Sequence, residues 1–159
     1  MQQFIQKRVF LMKYFFIFCL MVFTTLSAKE YKVVFDCSSG NANYIKTRMA
    51  LIEKTMNMIQ EQGDKATVAL TLHGKCVPVV SKKFEEVVDG DDLAEMQVAQ
   101  DNLLHLLANK KVSVIACAMS LAANSIDQKD VLPMIQISKN SFINTIAYQN
   151  DGYALMTFK

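Results

Sequence analysis

Short apolar runs alternate with helical patterns along most of this chain, and this alternation constrains the fold more than any other feature. Five runs have the length and apolar content of buried strands: 31–36, 66–72, 112–116, 134–138 and 153–158. Strands that are apolar throughout and that alternate with helices are typical of a parallel sheet covered on both faces. The sequence therefore predicts one α/β domain with three α/β/α layers.

Three longer helices are predicted between these strands from apolar residues spaced three or four apart. Gly63 is expected to close the first helix, Asp91 and Asp92 to open the second, and Ser141 to cap the third. A short helix should follow the third strand and end near Asn124, which can adopt the left-handed cap conformation in place of glycine. The expected inward positions are Ile45, Met49, Ile52, Met56 and Ile59; Leu93, Met96, Ala99, Leu103 and Leu106; and Phe142, Ile143, Ile146 and Ala147.

The stretch from His73 to Asp92 has no helical or strand pattern and contains Gly74, Pro78 and Gly90. It predicts a long connection, a kind of loop that is often functional or mobile. Within it, "KKFEEVVDGDD" mixes both charge signs and is interpreted as a solvated loop.

Residues 1–28 differ in character from the rest of the chain. Three basic residues precede an apolar run of about 13 residues, at 14–26, which ends at Ser27 and Ala28. This pattern is typical of a secretory signal peptide, and the run is shorter than the roughly 20 residues that span a membrane. We expect residues 1–28 to be a cleaved signal that sends a domain at 29–159 to the periplasm or outside the cell. An uncleaved N-terminal membrane anchor is the alternative, and Met12 is as good a start as Met1.

The predicted mature chain is nearly neutral. Of the 17 Lys and Arg residues in the sequence, three lie in residues 1–28, which leaves 14 against 15 Asp and Glu. Arg48 is the only arginine after residue 28, and no basic patch is interleaved with aromatic residues. A nucleic-acid partner is therefore not expected.

Three cysteines remain after residue 28, and each follows a predicted strand. Cys37 follows the first, Cys76 comes four residues after the second, and Cys117 directly follows the third. Right-handed crossovers place the carboxyl ends of parallel strands at one edge of the sheet, so all three should lie toward that edge. An odd number cannot all pair within one molecule. One thiol must therefore stay free, bond another chain or do chemistry.

Cys117 is the candidate nucleophile because it lies where a strand gives way to a helix. Backbone N–H groups and the helix dipole at such a position favour the thiolate. The alternative is that Cys117 packs as a small apolar residue. His73 could act as a base or hydrogen-bond partner to a neighbouring thiol, or form half of a metal pair with Cys76. Two ligands do not define a metal site, so neither a metal nor a cofactor is predicted.

The motifs from the third predicted strand onward occur in a characteristic order. A "CAMSL" helix follows this strand, then come "DVL", "IQIS" and, before the last strand, "QNDGYA". In this order and spacing they resemble the DsrE/DsrF-like sulfur-relay family, and the resemblance covers residues 31–159. It implies a five-stranded parallel sheet with strand order 4-3-2-1-5, assembled as a homo-oligomer of three or six chains. It also implies that Cys117 carries a persulfide.

The resemblance and the residues together give a first functional hypothesis. An exported protein would bind or transfer sulfane sulfur through a persulfide on Cys117, as a sulfur carrier or a sulfurtransferase. Cys76, Cys37 and His73 would be secondary site residues, and the partners would be thiol or sulfane-sulfur donors and acceptors.

Two alternatives stay open at this point. The first is a non-catalytic oligomeric or small-ligand-binding module with structural cysteines, which a Cys37–Cys76 disulfide and a buried Cys117 would favour. The second, a thiol–disulfide oxidoreductase, lacks the expected CxxC motif.

Overall fold

The computed structural model describes residues 28–158, so the predicted signal peptide lies outside the described residues except for Ala28. Five parallel strands form one sheet in the order β4-β3-β2-β1-β5, as the resemblance implied. The strands are β1 (Glu30–Cys37), β2 (Lys65–Leu72), β3 (Val112–Cys117), β4 (Gln136–Ser138) and β5 (Ala154–Phe158). The predicted parallel sheet with helices on both sides is therefore confirmed, with helix and strand ends within a few residues of those expected.

Four α-helices connect the strands. They are α1 (Ala42–Glu61), α2 (Leu93–Leu107), α3 (Ala118–Ala123) and α4 (Ser141–Asn150). Helix α1 begins where the Asn41 side chain accepts a hydrogen bond from the Tyr44 N–H at 2.8 Å. It ends before Gly63, which has a φ of +80° that only glycine adopts without strain. The short helix α3 follows Cys117 directly and ends next to Asn124, as predicted. The predicted left-handed conformation at Asn124 is wrong, because Asn124 has a φ of −101° and Ser125, one residue later, has a φ of +59°.

The two faces of the sheet are built from different residues, because neighbouring residues of a strand point to opposite sides. One face, called the core face here, is packed under α1 and α2. The other, called the polar face, is packed under α4 and carries Asp36, Thr71 and Cys117. The core face presents Phe35, Cys37, Val68, Leu70, Leu72, Val114 and Ala116, all buried in the main hydrophobic cluster.

The inward positions predicted for α1 and α2 are largely confirmed. Ile45, Met49, Leu103 and Leu106 are at most 1% exposed. Only Ile59 and Leu93 are partly buried, and both pack against the same cluster.

The predicted inward face of α4 is wrong. Phe142, Ile143 and Ile146 are 57–65% exposed, whereas Ser141 and Thr145 are buried. Asn140, one residue earlier than expected, caps the helix by accepting the Phe142 N–H at 3.0 Å. The helical periodicity of α4 is as predicted, but its apolar side faces away from the sheet. The polar groups of the sheet beneath α4 take its polar side instead.

The connection from His73 to Asp92 is better ordered than predicted. It begins with a 3₁₀ segment (Gly74–Val80) whose apolar residues are fully buried, and Phe84, inside the expected solvated loop, is only 3% exposed. The Gln100 side chain of α2 donates to the carbonyls of Val79 and Ser81 at 2.9 and 2.8 Å. These bonds satisfy backbone groups that the irregular chain would otherwise leave unpaired.

None of the helices within residues 28–158 is long and apolar enough to cross a membrane.

Candidate functional site

The carboxyl edge of the sheet gathers the residues on which the sequence hypotheses depend. Cys37 pairs in register with Leu72, Leu72 with Ala116, and Cys117 with Ser138 on the outer strand. The predicted placement of the cysteines toward one edge is therefore confirmed. The sheet nevertheless separates them, since Cys37 lies on the core face and Cys117 on the polar face.

Cys37 and Cys76 form a disulfide, with their Cα atoms 5.9 Å apart. Both residues are fully buried in the hydrophobic core. The pairing that the sequence left open therefore involves the two cysteines of the core face. In this state neither residue has a thiol, so neither resolves a bond made by Cys117. The fully buried sulfur pair also presents nothing to a substrate disulfide, which leaves little support for a thiol–disulfide oxidoreductase.

Cys117 is the one free cysteine among the described residues, and it is 5% exposed. Burial by itself raises the pKa of its thiol, but groups of Ser141 and Ser120 more than offset burial and hold that pKa below its ordinary value. These groups are the backbone N–H and the hydroxyl of each serine. In the resting geometry the Cys117 side chain makes no capping hydrogen bond to α3. The donors therefore have capacity left for an anion at this position.

The Ser120 hydroxyl is fixed by the segment that follows β2. The Gly74 N–H donates to Ser120 Oγ at 2.9 Å, and Asn124 Nδ2 donates to the Gly74 carbonyl at 2.9 Å. Gly74 has a φ of +55°, and a Cβ there would meet the Ser38 carbonyl oxygen at 3.4 Å. Glycine is therefore favoured at this position by its backbone conformation. Because Cys76 lies two residues further on, the disulfide tethers the same segment to β1.

His73 lies beside this region in a hydrogen-bonded network on the polar face. Its Nε2 is 3.1 Å from Asp36 Oδ2, and Thr71 Oγ1 donates to Asp36 Oδ1 at 2.8 Å. The His73 ring also meets the ring of Phe142 edge-on, with centroids 5.0 Å apart. Phe142 follows Ser141, so the histidine packs against the first turn of α4. The structure thus places His73 as a neighbour of the thiol's hydrogen-bonding groups and pairs it with a carboxylate.

A metal pair of His73 and Cys76 is not formed, because the histidine is paired with Asp36 and the cysteine is in the disulfide. Within residues 28–158 no three His, Cys, Asp or Glu side chains are grouped so that they could hold a metal ion. A cavity of about 240 Å³ does lie near the edge, lined by Gly40, Lys75, Asn124 and others, but Cys117 does not line it.

The sequence model of the DsrE/DsrF-like family matches this chain over residues 32–158. The chain belongs to the DsrE/DsrF-like family. This family is of the sulfur-relay type, and the match runs from within β1 to the end of β5.

Two individual proteins extend the comparison. The DsrE/DsrF-like chain is 31% identical to an uncharacterized protein of Aquifex aeolicus (strain VF5) over 157 residues, which are 97% of this chain and 67% of the relative. A solved structure, that of the protein of unknown function MTH1491 from Methanobacterium thermoautotrophicum, matches with a TM-score of 0.62 at 16% identity. The match covers 80% of this chain and 99% of MTH1491. At this identity the structural likeness shows the fold alone.

Thr145 of α4 also joins the polar network, because its Oγ1 lies 3.0 Å from Thr71 Oγ1. Four residues of the site in this DsrE/DsrF-like domain were not identified from sequence: Ser120, Ser141, Asp36 and Thr145. Two of them left a signal. Ser120 stands three residues after Cys117, the spacing at which an N-cap side chain meets the third helical N–H. Asp36 is a charged residue at the end of an otherwise apolar strand. Ser141 and Thr145 left no usable signal, because their approach to the sheet depends on the orientation of α4.

Proposed function

We propose that this protein binds and transfers sulfane sulfur as a persulfide on Cys117. The observation that carries the proposal is the convergence of serines from the first turns of two helices on one sulfur. Ser120 of α3 and Ser141 of α4 both stabilise its anion. A thiolate is the nucleophile in sulfur exchange, so a thiol whose pKa is held low is suited to accept sulfur near neutral pH.

The transfer step balances without a redox partner. The Cys117 thiolate attacks the outer sulfur of a persulfide donor, R–S–SH, and forms a new S–S bond. The donor's S–S bond breaks, and its electron pair leaves with the inner sulfur as the thiolate R–S⁻. The donor's proton arrives with the transferred sulfur and then dissociates to solvent, which leaves the persulfide as an anion. Delivery to an acceptor thiolate is the same step in reverse, so the protein acts as a carrier or a sulfurtransferase.

The Asp36–His73 pair supports a secondary role for the histidine in this proposal. A histidine hydrogen-bonded to a carboxylate is held in one orientation, and its other ring nitrogen stays available for proton exchange. His73 is 15% exposed at its side chain and reaches solvent beside the edge. It would protonate a leaving thiolate or deprotonate an incoming thiol.

Export and self-association are also proposed. Disulfides persist in oxidising compartments, so the Cys37–Cys76 bond supports the secretory interpretation of residues 1–28. The outward apolar side chains of α4 support a homo-oligomer, because monomeric proteins rarely expose adjacent large apolar groups on one helix.

Persulfide formation is tested by treating the protein with a polysulfide and digesting it without reductant for mass spectrometry. We expect the peptide containing Cys117 to gain the mass of one sulfur atom, and Cys117→Ser to abolish the gain. Because serine is a poor nucleophile of nearly the same size, this variant should keep its thermal unfolding midpoint. No added sulfur on Cys117 in folded wild-type protein would reject the proposal.

A second candidate is a non-catalytic oligomeric or ligand-binding module. Two observations favour it: the disulfide is structural, and Cys117 is only 5% exposed. Counting thiols with a small alkylating reagent, in native and in denatured protein without reductant, separates the candidates. One thiol that reacts in the native state supports sulfur transfer. One that reacts only after denaturation supports the module.

A further inference from the structure

Ser141 contains a buried polar atom that the fold does not use. The residue is fully buried, and its Oγ has no hydrogen-bond partner within the described part of the chain. Folding normally pairs buried hydroxyls, because an unpaired one loses its hydrogen bonds to water without replacement. An unpaired buried hydroxyl in a native protein therefore calls for a ligand or a chemical role.

The Ser141 hydroxyl belongs to the segment beside Cys117, because Ser138 pairs in register with Cys117 and Ser141 begins α4 three residues later. It is one of the groups that lower the pKa of the thiol, together with its own backbone N–H and two groups of Ser120. Of these donors, the two N–H groups are fixed by the helix backbones. Ser120 Oγ is held by the Gly74 N–H at 2.9 Å. Only Ser141 Oγ can turn about its χ1 without breaking another hydrogen bond.

We propose that Ser141 is a positioning residue whose buried hydroxyl binds the outer sulfur of a persulfide on Cys117. This inference rests on the proposed function and assigns the task of holding the transferred atom. The hydrogen-bond partner of Ser141 Oγ is thus the persulfide anion carried by Cys117 and is not a group of the folded protein.

The movement of charge during transfer explains why an adjustable donor is needed. Before the step, the negative charge lies on Cys117 Sγ. After it, Sγ is bonded to two atoms, and once the S–H proton has passed to solvent the charge of the persulfide lies on the outer sulfur, one S–S bond or about 2 Å further out. Backbone N–H groups cannot follow the charge, whereas a hydroxyl can rotate to donate to the new position. Ser141 would therefore keep the persulfide anionic and in place until an acceptor arrives.

The test titrates Cys117 in two forms of the whole protein, as thiol and as persulfide. Each anion has its own near-ultraviolet absorbance, so both acid dissociation constants can be measured. We expect Ser141→Ala to reduce the acid dissociation constant of the persulfide by about tenfold, because a hydrogen bond to an anion is lost. The control is Ser113→Ala, the same change on β3 where the hydroxyl bonds Tyr148 at 3.3 Å. It should leave both constants unchanged.

The unfolding temperature of Ser141→Ala separates the proposed role from a structural one, because the loss of a structural hydroxyl would lower it. Because its Oγ is unpaired, Ser141→Ala should unfold at the wild-type temperature or higher at a pH where Cys117 is a neutral thiol, while its persulfide is less acidic. If alanine disturbs the start of α4, Ser141→Gly removes the same hydroxyl and repeats the test.

The possible results separate this inference from the proposed function. If wild-type protein takes up sulfur and the persulfide of Ser141→Ala is as acidic as that of wild type, the role of Ser141 is rejected and sulfur transfer stands. If wild-type Cys117 takes up no sulfur, both are rejected. A less acidic persulfide in a variant of undiminished stability supports both.

Discussion

The two faces of the sheet carry the same kind of atom in opposite surroundings. On the core face, the sulfurs of Cys37 and Cys76 are oxidised to a disulfide within a hydrophobic cluster. On the polar face, the Cys117 sulfur is a free thiol beside hydrogen-bond donors of Ser120 and Ser141. Neighbouring residues of β1 show the contrast within one step of the chain, since Asp36 faces the network of polar groups and Cys37 faces the core.

This difference separates stability from chemistry. The core face has two long helices and most of the buried apolar residues, so it supplies most of the hydrophobic stabilisation. The polar face is covered by one ten-residue helix that turns Ser141 and Thr145 inward. A fold that is stabilised from one side can keep buried polar groups and an ionisable thiol on the other.

The largest effect is expected from removing the disulfide. Replacing Cys37 and Cys76 with alanine opens a cross-link of sequence separation 39, which should lower the free energy of unfolding by about 4 kcal/mol. Guanidinium denaturation measures the loss. The control is Cys117→Ala, which replaces the free cysteine and leaves the disulfide intact. A loss below about 1 kcal/mol would mean that the core face does not depend on its cross-link.

The next effect compares one apolar truncation above each face. Leu103→Ala in α2 removes a fully buried side chain and should cost about 3 kcal/mol through lost burial and a cavity. Ile146→Ala in α4 removes one that is 57% exposed, so it should cost less than about 0.5 kcal/mol in the isolated chain. Urea denaturation of both variants at several protein concentrations tests the contrast. A cost for Ile146→Ala that grows with protein concentration would show that a second copy covers this side of α4, as the proposed homo-oligomer requires, whereas a large cost at every concentration would contradict the contrast.

The smallest effect concerns the pH dependence of stability. The pKa of the Cys117 thiol is lower in the folded chain than in the unfolded chain, since donors of Ser141 and Ser120 outweigh burial. Between the two pKa values the folded state has lost the proton that the unfolded state still binds, so stability should rise with pH there. The contribution of Cys117 to stability is complete above the unfolded pKa and is lost as pH falls through the folded pKa. Urea midpoints across the neutral to alkaline range should show this rise in wild-type protein but not in Cys117→Ala, and parallel curves would contradict it.

Much of the fold could be predicted from the sequence because its cause is local. The strands from Tyr31 and Ala66 and the helix faces through Met49 and Leu103 follow from the spacing of apolar residues, which hardly depends on the rest of the molecule. The edge shared by the cysteines followed from the handedness of parallel crossovers. The strand order came from the family resemblance, because local pattern does not select among parallel orders.

The candidate site was predicted only in part. Cys117 was found from its position between strand and helix, but the groups that set the pKa of its thiol come from distant parts of the chain. Ser141 approaches Cys117 only because α4 packs with its polar side inward. From sequence alone, the amphipathic pattern of α4 predicts that its apolar side faces the core. This is why the sequence places Phe142 in the core, whereas the structure exposes it.

The sequence by itself determined an alternating α/β chain, a five-stranded parallel sheet and a cysteine at the end of β3. The tertiary structure alone decided which cysteines are bonded to each other, which side of α4 faces the sheet, and what surrounds the free sulfur. The physical reason is the range of each interaction. Periodicity and turn chemistry act within a few residues, whereas the approach of Ser141 to Cys117, or of Cys76 to Cys37, requires the complete packed chain.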